Sequence, residues 1–358
     1  MGDSMELIFK RDGILKRGKG MTFDDLLLVP QYSEISSRKG PVLDALVTKN
    51  WRLQIPLITA NMDTITEGDM AIAMGQLGGL GIIHRFMSPE SQVLEIKKVR
   101  KVFDQLKITL PIAASIGVKE EGMSRADLLV EAGVDILTVD IAHGDSILMI
   151  ETLNYVKRKY PKIDVIAGNV ASADSVNRLV DGGADCIKVG IGPGSMCTTR
   201  IITGHGVPQL TAVALSVEAA KRHKVPVIAD GGLKNSGDIV KALAAGANTV
   251  MIGSMVAGTL ETPGEMKSGK KVYRGMASKD AQVSWRGELP RGMAAEGEAT
   301  LVPCKGPVEN VILELTGGLR SGMTYMGVHT IEEMHEKALF MEMSAAGLYE
   351  SRPHGVRN

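Results

Sequence analysis

Eight short aliphatic segments, each followed by polar or glycine-rich residues and then by a helical pattern, constrain the fold of this chain most strongly. Their near-continuous apolar character is typical of parallel strands that are buried on both faces. The eight segments are Pro56–Ala60, Leu80–His84, Pro111–Ser115, Val134–Asp140, Asp164–Asn169, Ala184–Gly190, Val225–Asp230 and Asn248–Gly253. Eight evenly repeated strand–helix units predict an α/β protein with a closed (β/α)8 TIM barrel, and the same pattern leaves an open doubly wound sheet as the alternative.

The stretches between these segments have the apolar spacing of amphipathic helices. The clearest are Ser91–Val102, Ile147–Lys159, Ala212–His223 and Ser236–Ala245. A last helix is expected over Ile331–Ala346, packed outside the barrel. Because a length of 358 residues suits a barrel with insertions, we expect residues 1–358 to form a single TIM-barrel catalytic domain.

Two long segments interrupt the strand–helix rhythm. Residues 190–208 follow the sixth strand and residues 261–306 follow the eighth. Loops longer than about 15 residues inside a compact domain are usually lids or binding loops. Both segments leave the carboxyl ends of strands, where the active sites of TIM barrels lie. We therefore expect the active site there, with residues 261–306 as a flap over it.

Charge and cysteine content exclude several kinds of partner. The 41 Lys and Arg residues balance 41 Asp and Glu residues, so nucleic acid is not expected as a partner. Since the chain has neither an apolar signal region nor a long uncharged apolar run, we expect no membrane partner and a cytoplasmic location. Three cysteines without CxxC spacing make disulfides and a zinc site poor interpretations.

The loop Gly190–Arg200 (GIGPGSMCTTR) concentrates residues that carry chemistry. Gly192 and Gly194 are expected to take positive φ and to turn backbone groups toward an ion or a phosphate. Cys197 stands beside two threonines and an arginine, a setting that favours the thiolate and indicates a nucleophile. The alternative, a small apolar core residue, fits Cys186 inside the strand ADCIKVG better.

Glycines at the ends of the last two strands indicate a phosphate site. The seventh strand ends in Asp230-Gly231-Gly232 and the eighth in Gly253-Ser254. Loops after these strands commonly bind phosphate in TIM barrels, with backbone amides as donors. Asp230 is placed to accept hydrogen bonds from ribose hydroxyls. The alternative is that both glycine pairs are simple turns.

Three further polar residues are weaker candidates. His84 and His143 lie at strand ends, where a structural or substrate-contacting histidine is expected more than a catalytic one. Glu296 lies in the late loop AAEGEA, where most glutamates are simply solvated. Only its place in the flap makes Glu296 a site candidate.

Longer motifs resemble the family of IMP dehydrogenases and GMP reductases. They are TFDDLLLVP (22–30), GIGPGSMCTTR (190–200), IADGG (228–232), GDIVKALAAGA (237–247), YRGM (273–276) and GGLRSGMTYMG (317–327). The resemblance covers almost the whole chain. Many IMP dehydrogenases carry a paired CBS module between the second and third strands, and the stretch between residues 84 and 111 is too short for it.

The resemblance implies a purine nucleoside monophosphate, GMP or IMP, as substrate, a homotetramer, and a role for each matching residue. Cys197 resembles the nucleophile that attacks purine C2. The carbonyls of Gly192, Gly194 and Cys197 resemble a monovalent-cation site, usually potassium. Residues that match nucleotide contacts are Ser195, Gly231, Gly232, Gly253 and Ser254 for the phosphate, Asp230 for the ribose, and Tyr273, Gly275 and Met276 for the remainder. Asp140 and Asn169 match positions on the nicotinamide side.

Two reactions are open to such a family member, and they share a covalent thioimidate intermediate. An IMP dehydrogenase reaches it by sending hydride to NAD and then hydrolyses it. A GMP reductase reaches it by losing ammonia from GMP, then accepts hydride from NADPH and releases IMP. Hydrolysis needs an activated water, and dehydrogenases are similar to one another in having a long flap with an Arg-Tyr pair as the base.

The flap favours the reductase. Residues 276–296 form a short stretch without an Arg-Tyr pair. The EG pair of this chain resembles the EG pair of the family's reductases. In those reductases the glutamate acts with a threonine to move the proton of the departing ammonia. Glu296 and Thr199 fit those roles, and TANMDT (59–64) is also reductase-like. The flap supplies the group that separates water attack from ammonia release, so it weighs most.

Other features favour the dehydrogenase. DIAHGDS (140–146) is dehydrogenase-like, and so are TITEGDMA and GGLGIIHR. Reductases usually carry an arginine three residues before the glutamate, where this chain has Met293, with Arg291 nearby. Arg286 or Arg291 as an unusual base would keep the dehydrogenase possible. A nucleotide-binding regulator without activity is a third alternative, against which the combination of Cys197, Thr199 and Glu296 argues.

Overall fold

A computed structural model describes residues 7–289, 291–292 and 294–353, and its centre is a closed barrel of eight parallel strands. In chain order the strands are β1 (Leu57–Thr59), β2 (Leu80–Ile83), β3 (Ala113–Ile116), β4 (Ile136–Asp140), β5 (Asp164–Val170), β6 (Cys186–Val189), β7 (Val227–Asp230) and β8 (Thr249–Ile252). Each lies within or overlaps one predicted segment. β8 pairs in parallel with β1, Val250 opposite Leu57, which closes the barrel and rules out the open sheet. The predicted (β/α)8 fold is confirmed.

Helices cover the outside of the barrel, one after each strand. They are Gly68–Gln76, Pro89–Leu106, Lys119–Glu131, Ile147–Lys159, Ala173–Asp181, Gln209–Lys221, Ser236–Ala244 and Val308–Met326. The second of them shows why these boundaries hold. Ser88 caps its first turn by accepting the amide of Ser91 at 3.1 Å, Pro89 occupies the first position, and Lys107 ends it in the left-handed conformation. Its apolar stripe, which includes Val99 and Phe103, is buried.

Smaller strands and helices lie outside the barrel. The strands outside the barrel are Ile8–Phe9, Leu26–Leu28, Ala45–Leu46, Arg52–Leu53, Lys270–Arg274, Ala299–Pro303 and Phe340–Glu342. The remaining helices are Arg11–Leu15, Thr199–Thr203, Lys279–Arg286, Ile331–Lys337 and Ala345–Glu350, with a 3-10 turn at Phe23–Asp25. Across the described ranges, no helix has both the length and the apolarity needed to cross a membrane.

The prediction of one terminal helix over residues 331–346 is wrong. The helix stops at Lys337, and Phe340–Glu342 forms the central strand of a three-stranded antiparallel sheet with Ile8–Phe9 and Leu26–Leu28. Phe340 is fully buried and stacks on Phe9 with ring centroids 6.4 Å apart. Partners more than 300 positions away therefore override the local helical pattern, which periodicity alone cannot anticipate.

Both long segments predicted to interrupt the barrel contain regular structure. The segment after β6 includes the short helix Thr199–Thr203. The segment after β8 forms an antiparallel hairpin of Lys270–Arg274 with Ala299–Pro303, and the helix Lys279–Arg286 lies between those strands. This hairpin with its helix, residues 270–303, lies within the segment 261–306 that was predicted as a flap, and from here on the flap means residues 270–303. It brings Glu296 back to the barrel mouth.

Candidate active site

Two adjoining cavities lie at the carboxyl ends of the barrel strands. Apart from the two weaker histidine candidates, every residue predicted for the site lines one of them. The larger, about 340 Å³, is lined by Asp140, Asn169, Gly192, Gly194, Ser195, Cys197, Thr199, Asp230, Tyr273, Gly275, Met276 and Glu296. The smaller, about 180 Å³, is lined by Gly194, Ser195, Asp230, Gly231, Gly232, Gly253, Ser254 and Tyr273. A groove of about 840 Å³ lies at the opposite end of the strands, beside Val227 and Asn248, away from all of them.

A continuous hydrogen-bonded chain joins the cysteine loop to the flap. The Cys197 thiol lies 3.2 Å from Thr199 Oγ1, and that hydroxyl donates to Glu296 Oε2 at 2.7 Å. A hydroxyl has one proton to donate and can accept at the same time. The geometry therefore lets a proton pass between the thiol and the carboxylate through Thr199. Glu296 lies 97 positions after Thr199 in the sequence, so only the tertiary fold brings these two side chains together.

Backbone hydrogen bonds fix the glutamate's segment against the cysteine loop. The amide of Thr198 donates to the Glu296 carbonyl at 3.1 Å, and the amide of Glu298 donates to the Met196 carbonyl at 2.9 Å. On the other side, the Glu296 amide donates to the Ala277 carbonyl at 2.9 Å. The segment thus lies between two other backbones, which gives Glu296 a defined position despite its place in a long connection.

Gly297 makes this close packing possible. A side chain there would place its Cβ 3.1 Å from both the Met196 carbonyl oxygen and the Ser278 amide nitrogen. Both obstacles are backbone atoms that cannot rotate away. The Glu296-Gly297 pair is therefore explained sterically: the glycine admits the segment that carries the carboxylate.

The prediction of positive φ in the cysteine loop is correct at one glycine and wrong at the other. Gly192 has φ +80°, and a Cβ there would approach Arg200 Cγ to 2.6 Å. Gly194 does not have positive φ. Instead its carbonyl accepts the Cys197 amide at 3.0 Å, so a local turn sets its conformation.

The smaller cavity combines glycine backbone with hydroxyl groups. Ser195 Oγ and the Tyr273 hydroxyl lie 3.0 Å apart, so a residue of the cysteine loop contacts one of the flap. Burial raises the pKa of Tyr273, which keeps its hydroxyl protonated and able to donate. Glycines from the ends of β7 and β8 complete the wall. This arrangement can hold a small anion such as a phosphate group.

The floor of the larger cavity is a network centred on Lys188 of β6. Lys188 Nζ lies 2.7 Å from Asp140 Oδ1 and 2.8 Å from Asp230 Oδ2, and it also donates to Asn169 Oδ1. Asn61 Nδ2 donates to Asp140 Oδ2 at 2.9 Å. Asn169 Nδ2 donates to Asp230 Oδ2 at 2.8 Å. These contacts join β4, β5, β6 and β7, and Asn61 adds the segment that follows β1.

Charge pairing sets the ionisation of this network. Burial is the largest single influence and raises the pKa of Asp140, but Lys188, Arg85 and Asn61 together outweigh it and hold that pKa below its ordinary value. Burial alone would lower the pKa of Lys188, yet the two carboxylates raise it above the ordinary value. The site therefore contains a buried ammonium between two carboxylates, and this pairing favours the ionised forms of Lys188 and Asp140.

Sequence reasoning missed Lys188 and the aromatic side of the larger cavity. The available signal for Lys188 was a lysine inside the apolar strand ADCIKVG, because a charge on a doubly buried strand needs a partner. Phe86 lines the cavity and stacks on Trp285 of the flap, with centroids 5.8 Å apart and planes at 17°. No local pattern links those two rings, since one follows β2 and the other lies in the flap helix.

Both histidine candidates lie outside the reacting groups. His84 is 2% exposed, accepts the Phe86 amide on Nδ1 at 3.0 Å and lies 3.0 Å from Glu67 on Nε2, which fixes it as a structural residue. His143 is exposed and lines neither cavity. Of the two arginines considered as bases, Arg286 ends the flap helix and is exposed. Met293 lies outside the described residues.

The other cysteines take no part in either cavity. Cys186 is fully buried in β6, where burial raises the pKa of its thiol well above the ordinary value, and Cys304 follows the flap. Among the residues that the structure describes, no group of three or more His, Cys, Asp or Glu side chains could hold a metal ion. The side chains that line the larger cavity include a thiol, a hydroxyl and a carboxylate, beside a buried ammonium.

Comparisons with known proteins find matches within one family. A sequence profile described as the IMP dehydrogenase / GMP reductase domain matches residues 20–354. Inosine-5'-monophosphate dehydrogenase of Cryptosporidium parvum is 44% identical, over 95% of this chain and 96% of that one. GMP reductase of Leishmania donovani is 35% identical, over 94% of this chain and 97% of that one.

A solved structure has the same architecture. The crystal structure of GMP reductase from Trypanosoma brucei, in complex with guanosine 5'-monophosphate, superimposes with a TM-score of 0.89 at 34% identity. The match covers 96% of this chain and 99% of that one. Together with the barrel and the cysteine loop, these matches show that the chain belongs to the IMP dehydrogenase / GMP reductase family of purine nucleotide oxidoreductases.

Proposed function

We propose that this protein is a GMP reductase, which converts GMP to IMP and ammonia with NADPH as the hydride donor. The observation that carries the proposal is the chain Cys197–Thr199–Glu296, with contacts of 3.2 and 2.7 Å. Its carboxylate comes from a flap in which no Arg-Tyr pair stands. A group that handles the thiol's proton suits the loss of ammonia better than the activation of water.

In the proposed first step, Cys197 Sγ bonds to purine C2 and the bond from C2 to the exocyclic amine breaks. The thiol gives up one proton and the departing amine needs one, so proton transfer through Thr199 to Glu296 and back balances the step. Bound NADPH would supply the hydride that C2 accepts in the second step and would leave as NADP+. The carbon–sulfur bond then breaks with its electron pair on sulfur, which takes up a proton from solvent as IMP forms.

The nucleotide is proposed to lie across both cavities. Its phosphate fits the smaller one, against Ser195, Gly231, Gly232, Gly253 and Ser254. In the described part of the chain no side chain donates to Asp230 Oδ1, which leaves that oxygen for ribose hydroxyls. The base then lies near Tyr273, Gly275 and Met276, toward Cys197.

The nicotinamide is proposed to enter on the side of Asp140 and Asn169. Both residues line the larger cavity with Arg85 and Phe86, the last of which offers an aromatic face. In this arrangement Lys188 and Asn61 hold Asp140 in place. Residues of this chain would thus orient the ring and leave the hydride chemistry to the cofactor.

A monovalent cation, potassium by family resemblance, is proposed to be held by carbonyls of Gly192, Gly194 and Cys197. Their fit is reasonable, since the Gly194 carbonyl accepts one amide and keeps a second lone pair. Gly192 reaches a backbone conformation that other residues rarely adopt. A bound cation would supply charge that orders the cysteine loop.

An IMP dehydrogenase, using NAD, is the second candidate function. Two observations favour it: the 44% identity to the Cryptosporidium parvum enzyme and the dehydrogenase-like segment DIAHGDS. In that case Glu296 or a flap arginine would have to activate water. A cytoplasmic homotetramer is proposed for either activity.

The test is a paired assay. Purified protein is mixed with GMP and NADPH, and separately with IMP and NAD, both with potassium, while the absorbance of the reduced cofactor is followed. We expect GMP-dependent loss of NADPH with release of IMP and ammonia. Steady NADH formation from IMP with accumulation of XMP would instead identify a dehydrogenase.

A further inference from the structure

The proposed reaction steps do not use Lys188, yet Lys188 lies at the centre of the hydrogen-bond network of the site. It is 2% exposed, inside the barrel, and all three of its ammonium protons have acceptors: Asp140, Asp230 and Asn169. Asp140 lies on the side proposed for the nicotinamide, and Asp230 lies on the side proposed for the ribose. The ammonium is thus the common contact between the two halves of the site.

The two carboxylates depend on this one charge in different ways. Asp140 has both oxygens held, by Lys188 at 2.7 Å and by Asn61 at 2.9 Å. Asp230 has one oxygen held, by Lys188 and by Asn169, both at 2.8 Å, and the other open to the cavity. Without the ammonium, two partly buried carboxylates would share a small space, and at least one would favour protonation.

We propose that Lys188 is a positioning residue, which holds the free oxygen of Asp230 toward the ribose and fixes Asp140 on the cofactor side. This role rests on the proposed nucleotide position, but it applies to either direction of the family's chemistry. Lys188 touches neither reactant in this account and acts through the two aspartates.

A second lysine–aspartate pair in the same barrel provides a matched control. Lys157 Nζ lies 2.7 Å from Asp185 Oδ2 and donates to the Ile163 carbonyl at 2.9 Å. This pair stands at the amino ends of β5 and β6, remote from both cavities. Its loss should cost stability without changing the site.

The experiment compares Lys188→Met, Asp230→Asn, the double variant and Lys157→Met. Nucleotide affinity is measured by calorimetry with GMP and with IMP, without turnover. Lys188→Met should weaken affinity about tenfold, the typical scale of one charge-assisted hydrogen bond. The double variant should bind no more weakly than Asp230→Asn alone, because Lys188 acts through that aspartate.

The pH dependence of kcat gives an independent readout. The charged and titratable groups that face the network are Asp140, Asp230, Arg85 and Tyr273. Removing the ammonium raises the pKa of Asp140, so activity that needs this carboxylate ionised should fall off at a higher pH as the solution is acidified. Lys188→Met should show this shift and Lys157→Met should not.

The outcomes separate this proposal from the proposed function. Turnover is read with whichever nucleotide–cofactor pair the unaltered enzyme uses, so a dehydrogenase result leaves the Lys188 test intact. If neither pair reacts, the nucleotide affinities of the variants still test the role of Lys188. The proposal would be overturned if Lys188→Met left both the nucleotide affinity and the acid side of the kcat–pH profile unchanged. It would also be overturned if Lys157→Met lost as much nucleotide affinity as Lys188→Met. A double variant that binds distinctly more weakly than Asp230→Asn would also contradict it.

Discussion

At the scale of single residues, the chemical role proposed for Cys197 depends on two side chains near it, Thr199 and Glu296. A cysteine in a glycine loop is only a candidate nucleophile, but a hydroxyl at 3.2 Å and a carboxylate beyond it provide a route for the thiol's proton. The same thiol chemistry fails for Cys186, where burial raises the pKa and disfavours the thiolate. Reactivity is therefore assigned by environment and not by residue type.

Glu296→Gln tests the proton route. Glutamine keeps the shape and can still accept from Thr199, but it cannot take up a proton. We expect kcat with GMP to fall about 10²–10⁴-fold, the range typical of a lost general acid–base group. Steady-state and single-turnover rates measured with GMP and NADPH check this.

The matched control for this prediction is Glu288→Gln, which removes the same charge from an exposed position in the flap. Its rate should stay close to that of the unaltered enzyme. An undiminished rate in Glu296→Gln would remove Glu296 from the mechanism and return attention to Arg286 and Arg291.

At the scale of elements, the flap carries the catalytic candidate Glu296 and is held against the barrel mouth by side-chain contacts of its helix and first strand. Trp285 stacks on Phe86 beside the larger cavity, and the Arg125 guanidinium lies 5.8 Å from the Trp285 ring centroid. Asp63 pairs with Arg274 at the start of the flap, with the closest contact at 2.5 Å. These contacts hold the helix Lys279–Arg286 over the site.

Trp285→Ala should therefore loosen the flap. An aromatic pair contributes about 1 kcal/mol beyond its buried area, so we expect kcat to fall about fivefold as Glu296 leaves its position more often. GMP affinity should change little, because the phosphate and ribose positions lie mainly on barrel loops. Limited proteolysis should cut within residues 279–291 faster than in the unaltered protein.

The control here is Trp51→Phe, the chain's other tryptophan, which stands before β1 and outside both cavities. If Trp285→Ala matches it in both kcat and proteolysis, the stack does not hold the flap.

At the scale of the whole molecule, the flap hairpin presents apolar side chains outward. Val272 and Leu301 stand opposite each other across its two strands and are 46% and 58% exposed. Adjacent apolar groups in water are typical of a surface that another protein covers. A second copy of this chain is the partner that the family resemblance implies.

We accordingly expect light scattering after size exclusion to give about four times the chain mass of 38.2 kDa. Val272→Lys with Leu301→Lys should shift the mass downward, whereas a matched pair of substitutions at the exposed Leu94 and Leu128 of the outer helices should not. A monomeric unaltered protein at micromolar concentration would contradict the tetramer.

The sequence by itself determined the barrel and the candidate nucleophile, because both rest on local signals. Eight apolar strand segments and their intervening helices are periodic patterns, and parallel strands buried on both faces leave few folds open. The cysteine, its glycine loop and the glycines after β7 and β8 lie in short contiguous motifs at strand ends. The barrel then brings those ends together, so the residues predicted for the site meet in two adjoining cavities.

Only the tertiary structure decided what depends on distant partners. Phe340–Glu342 became a strand because Ile8–Phe9 and Leu26–Leu28 lie beside it. Lys188 became the centre of the site because strands β4, β5 and β7 aim their last polar side chains at it. Local propensity carries no information about such neighbours, since their contacts form only when the chain closes on itself.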